Sequence, residues 1–240
     1  SLRTIVRGSR LPFGVGGDTV RFFIWWKQQP DNRTDLDLSA VFFDEQWQYK
    51  QTVAYYNLKS DYQCCHSGDQ TSAPDGACEF IDLDIPSSLE HGGRYVVMSV
   101  RSYTQQKFND LTECSAGWMM RQMPKSGEIF EPKTVVDKLD VASPTVDLIP
   151  MILDLQDRKV VWCDVGMKIN PRKPNNVHHN LTNVGLMGKA FTQLKKPNLY
   201  DLFELHVQAR GELVTHGRVD KTFGLDDAFA IERVMSEYMK

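Results

Sequence analysis

The sequence predicts a mainly β protein: an antiparallel β-sandwich with a small helical appendage at its C-terminus. Three observations carry this reading. Apolar and polar residues alternate from Val20 to Ile169, the alternating runs are rich in β-branched and aromatic residues, and the pattern changes to helical spacing after Ile169. With 41% hydrophobic and 25% charged residues in 240, the chain has the composition of an ordinary globular protein long enough to bury a sizeable core.

Eight runs read as strands: VRFFIWW (20–26), DLDLSAVFF (35–43), TVAYY (52–56), EFIDLDI (79–85), YVVMSV (95–100), GWMMRQM (117–123), VDLIPMILDL (146–155) and KVVWCDVGMKI (159–169). Turn-like clusters separate them, among them QQPDNRT, KSDYQ, LEHGGR and LQDRK, and GVGGD (14–18) is a flexible turn before the first strand. Short strands at this spacing pack as two sheets with their inner faces buried together. The sandwich is expected over 1–169.

The segment 170–240 is expected to be a helical extension packed on the sandwich. NPRKPNN (170–176) reads as a linker, and Leu181, Val184, Met187, Phe191 and Leu194 then recur at three and four residues. A second helix starts at Asn198 as N-cap, carries Asp201 in its first turn and stops at Gly211. A third begins near Asp226 and presents Ile231, Val234, Met235 and Tyr238 on one face.

Charge and cysteines bound the function. Twenty-eight Lys and Arg against thirty-one Asp and Glu give a net charge of −3, which predicts no global attraction to nucleic acid or to an anionic membrane. No apolar run approaches the roughly 20 residues of a membrane-spanning helix, and the N-terminus lacks the apolar core of a signal peptide. The five cysteines form no CxxC pair, so neither a disulfide framework nor a thiolate zinc site is readable, and a reduced, cytoplasmic setting is expected.

The chemistry concentrates in acidic residues. In a strand Asp35 and Asp37 point to one face while Leu36 and Leu38 point into the core. Paired like charges repel, and a bound cation removes the penalty. The loop HSGDQTSAPDGACEF (66–80) adds Asp69, Asp75 and Glu79, with no Lys or Arg to balance them. Two readings stand beside each other: a solvated acidic turn, or a site for calcium, which takes six to eight oxygens. His66, opening the loop, is expected to bond backbone groups and order the turn. No GxSxG or HExxH motif is present.

At these residues the sequence resembles a family. DLDLSAVFFDE, YYNLKS and HSGDQTSAPDGACEFIDLDI, in that order, are similar to segments of the tellurium-resistance (TerD) family of stress-response domains, and the resemblance covers residues 6–169. It implies a calcium-binding, non-enzymatic β-sandwich acting as a binding or scaffold module toward an unidentified protein partner, with Asp35, Asp37, Asp69, Asp75 and Glu79 as ligands. The tail KKPNLYDLFELHVQARGE resembles a longer bacterial subfamily in which such a domain ends a multidomain chain. Ala77 and Cys78 stand where the family loop carries acidic residues, so one calcium ion is expected rather than two. Alternatives are a metal-dependent hydrolase or nucleotide-processing enzyme using the same carboxylates, and a metal-free structural adaptor.

Overall fold

A computed structural model describes residues 5–125, 135–167, 177–193, 199–211, 216–217 and 230–238. The linker 170–176, Leu194, Asn198 and the start of the third helix at 226–229 lie outside the described residues, as do the side chains of His178 and His179.

Among the described residues, twelve strands form two six-stranded antiparallel sheets. The first has the order β1 (Arg10–Pro12), β12 (Lys159–Gly166), β11 (Asp147–Asp154), β8 (Tyr95–Ser102), β3 (Leu36–Phe43), β4 (Tyr49–Ala54). The second has the order β10 (Val135–Asp140), β9 (Glu113–Arg121), β2 (Thr19–Lys27), β7 (Ala77–Asp84), β6 (Cys64–His66), β5 (Lys59–Ser60). The mainly β sandwich is therefore the fold found, with four strands more than the sequence shows. KSDYQ, expected to be a turn, supplies β5, and the run expected over 117–123 begins at Glu113 and ends at Arg121.

Alternation builds the space between the sheets. Leu36, Leu38, Ala40 and Phe42 of β3 meet Phe22, Ile24 and Trp26 of β2 in one buried cluster, joined by Ile81, Leu83 and Trp118. The two buried indoles keep their donors satisfied, Trp26 Nε1 on Thr34 O at 3.1 Å and Trp118 Nε1 on Phe13 O at 3.2 Å. Pro150 lies inside β11, where a central strand tolerates proline only at an irregularity; the register with both neighbouring strands shifts there.

α1 (Ile85–Glu90) follows β7 directly, where the sequence reads on as strand to Ile85. Asp84 caps it, accepting from Ser87 N–H at 2.8 Å, and Pro86 sits in its first turn where a missing N–H costs nothing.

A third layer covers the outer face of the first sheet. Val41, Phe43, Val97, Ile149, Ile152 and Val161 form a second apolar cluster with Val184 of α2 (Leu181–Gln193), and Leu181, Met187 and Phe191 pack at its margin. Gly185 and Gly188 allow the approach: a Cβ on Gly185 would lie 3.1 Å from Phe43 Cε1, and one on Gly188 only 2.2 Å from Trp47 Cζ3. Trp47 is stacked on Tyr95, with ring centroids 4.5 Å apart.

The chain divides into a compact unit through Leu194 and a second from Lys195. In the second, α3 (Leu199–Arg210) has Asp201 in its first turn and Arg210 in its last, both favourable toward the helix dipole. α4 (Ala230–Arg233) continues into a π-helical turn at Val234–Tyr238. No described helix is long and apolar enough to cross a membrane.

Candidate metal centre

β3 leaves its sheet at a crossing of loops. Asp35 stands just before the strand and Asp37 is its second residue, while Asp69 arrives in the loop that joins β6 to β7 of the opposite sheet. Carboxylate oxygens of Asp35, Asp37 and Asp69 all lie within 4.8 Å of one another. Asp69 is exposed, whereas Asp35 and Asp37 are only 4% and 7% exposed.

Burial and mutual repulsion act on these groups in the same direction. Burial first, then the charges of Asp35, Glu79 and Asp69, pushes the Asp37 carboxyl up to about 7; Arg101, opposite it on β8, pulls the other way and loses. Asp35 is also raised, by burial and Asp69, even though exposed Arg33 donates to its Oδ2 at 3.0 Å. Its Oδ1 is buried with no hydrogen-bond partner. Arg101 donates to both oxygens of Asp147 at 3.1 and 3.2 Å, yet burial holds that carboxyl up at about 6. Tyr55 is raised by burial and then by Asp37 and Asp69, which brings its phenol into the field of the cluster.

Glu79 stands apart in kind. It points inward from β7, is fully buried, and uses both oxygens on backbone donors: Leu38 N–H at 2.9 Å to Oε2 and Gln70 N–H at 2.9 Å to Oε1. The β3 and β4 ladder ends at the Ser39 and Ala54 pair, so Leu38 has no partner on that side from its own sheet. The opposite sheet supplies both missing partners. Glu79 takes the Leu38 N–H, and His66 Nε2 reaches Leu38 O at 3.1 Å. His66 Nδ1 accepts from Gly68 N–H at 3.0 Å, which puts the ring proton on Nε2 as donor to the carbonyl. His66 thus orders the turn through backbone groups, as expected.

The five acidic residues therefore fall into three places. Asp35, Asp37 and Asp69 come together; Glu79 clasps the loop to β3 beside them; Asp75 is exposed and lies outside the cluster. Glu79→Gln is expected to destabilise the protein by about 1–3 kcal/mol with chelator present, because an amide can accept one of the two buried N–H groups and must turn its own NH₂ toward the other. Denaturant unfolding in chelator checks this; an unchanged midpoint would show that neither bond matters.

No family model matches the sequence, and no curated protein matches it. Among solved structures, the chain is similar to a homologue of the telluride resistance protein (TerD) from Streptomyces coelicolor A3(2), with a TM-score of 0.51 and 12% identity over 65% of this chain and 94% of that one. It is also similar to a crystallised protein of unknown function, with a TM-score of 0.47 and 16% identity over 64% of this chain and 94% of that one. The first likeness concerns the fold, and the TerD-like sandwich expected from the three ordered motifs is the sandwich found.

Proposed function

We propose, from a TerD-like sandwich as premise, that this chain is a calcium-binding, non-enzymatic module that offers an ion-ordered loop to a protein partner in a bacterial stress response. The observation that carries the reading is the convergence of Asp35, Asp37 and Asp69, from two sheets, with a buried Asp35 oxygen that has no partner. An all-oxygen, anionic donor set suits a hard cation, and calcium accepts its irregular geometry where magnesium demands a near-ideal octahedron. Asp35, Asp37 and Asp69 would hold the ion, whose charge offsets the burial and the repulsion that together raise Asp37.

One ion suits this set better than two, because Glu79 has both oxygens engaged and Asp75 lies elsewhere. The ion would join Asp69 of the loop to the end of β3 and so order the loop for a partner. The five cysteines are free thiols, which accords with a cytoplasmic setting.

Titration calorimetry of stripped protein tests the reading. Calcium is expected to bind at one ion per chain, with magnesium much weaker. Absence of heat with millimolar calcium would leave the metal-free adaptor as the function of this fold.

A further inference from the structure

The aromatic run FFIWW puts Phe23 and Trp25 on the outer face of its sheet, and of the two only Trp25 is part-exposed. Phe22, Ile24 and Trp26 point inward, whereas Trp25 points to the outer face of the second sheet. There it is opposite Ser115 of β9, which is in turn opposite Asp140 of β10. Residues opposite in an antiparallel pair share a face, so indole, hydroxyl and carboxylate form a row across three strands. The row lines a cavity of about 300 Å³, at the small end of ordinary ligand sites, with Glu113, Lys138 and Asn109 around it.

Ser115 makes this more than a surface dent. It is only 2% exposed, and its buried Oγ has no hydrogen-bond partner. A buried hydroxyl left without a partner costs free energy unless something else supplies one. Lys138, exposed on its long stem, places its Nζ over the Trp25 ring at 5.4 Å from the centroid. A cation–π contact at an exposed site is weak, so a ligand can displace it.

We propose that this cavity binds a small neutral polyhydroxylated ligand, a single sugar ring or a molecule of like chemistry. The lining mixes acceptors (Asp140, Glu113) with donors (Lys138) and groups that do both (Ser115, Asn109), which suits hydroxyls, since each donates and accepts. Two carboxylates against one ammonium disfavour an anion, and Lys138 beside Trp25 occupies the face a cation would take. Trp25 supplies the apolar wall on which the C–H face of a sugar ring lies. The site owes nothing to the acidic cluster and operates with chelator present.

The test is to add D-glucose, D-galactose and N-acetyl-D-glucosamine separately, in chelator, to ¹⁵N-labelled full-length protein and follow the indole N–H resonances. The Trp25 signal is identified by its loss in Trp25→Phe. A saturable shift of that signal with at least one sugar is expected, weakened about tenfold in Asp140→Asn, the size of one hydrogen bond to a charged group. The unfolding midpoint of Asp140→Asn, an exposed residue, should stay at the wild-type value. No saturable shift with any of the three sugars, equal affinity in Asp140→Asn, or a shift produced by sodium phosphate or choline instead would each overturn the proposal.

Discussion

Replacing Asp37 by Asn is expected to make the metal-free protein more stable at pH 8 and to remove most of its stabilisation by calcium. Asp37 is raised from 3.8 to about 7, so the native state holds a proton there that the unfolded chain has already released. The stability from that proton is complete below about pH 4 and is lost as pH rises through about 7, a change on the order of 4 kcal/mol for so buried a group. Asparagine keeps the shape and has no charge to lose. Wild-type protein in chelator should therefore melt higher at pH 5 than at pH 8, and the difference between wild type and Asp37→Asn should open above pH 7. Asp147 is raised as well and tilts both profiles alike, whereas Asp35 is coupled to Asp37, so the difference between the two proteins reports the Asp35 and Asp37 pair.

Calcium flattens the profile. At pH 8 an ion at a hundredfold excess over its Kd adds about 2.7 kcal/mol, several degrees of melting temperature. Below pH 7 protons compete for the same oxygens and the gain shrinks. Melting curves of both proteins at pH 5 and 8, with calcium and with chelator, decide the matter. Asp37→Asn melting below wild type at pH 8 in chelator would mean that attraction to Arg101 outweighs repulsion within the cluster.

The other large effect is in the core behind the acidic face. Leu36 and Leu38 are fully buried between the sheets, and each is expected to lose about 2–5 kcal/mol as alanine. The loss should be the same with chelator as with calcium, since neither side chain belongs to the cluster. Denaturant midpoints for Leu38→Ala in both conditions check it. A loss under 1 kcal/mol would mean that the core closes over the missing side chain.

The fold was legible where one strand answers to one core. DLDLSAVFF shows its inner face at Leu36 and Leu38, and both are buried as read. Its outer face is apolar at Val41 and Phe43 because α2 lies on it, a tertiary fact that alternation within the strand cannot show. β5 and β6 span two and three residues, too few for a period to register, and β10 is half exposed at an edge. α1 follows a strand without a break, and its signal, Asp84 before Pro86, was present in the sequence.

The candidate site divides along the same line. Asp35 and Asp37 are visible as a strand pair, and Asp69 through the motif that resembles the family. The separate position of Glu79 depends on β4 parting from β3 at Ser39, a property of the sheet that no spacing near Glu79 records. Asp75, in an exposed Gly/Pro stretch, has no local constraint on its direction.

The clasp on Leu38 also bears on how the chain stays out of aggregates. Where β4 departs, β3 would otherwise offer a bare N–H and C=O beside one of the most apolar strands of the sandwich, a template on which a strand from another molecule could add. Glu79 and His66 occupy both groups of Leu38 from the opposite sheet. A variant that loosens the clasp would therefore endanger solubility as well as stability, and light scattering on mild warming would register the change.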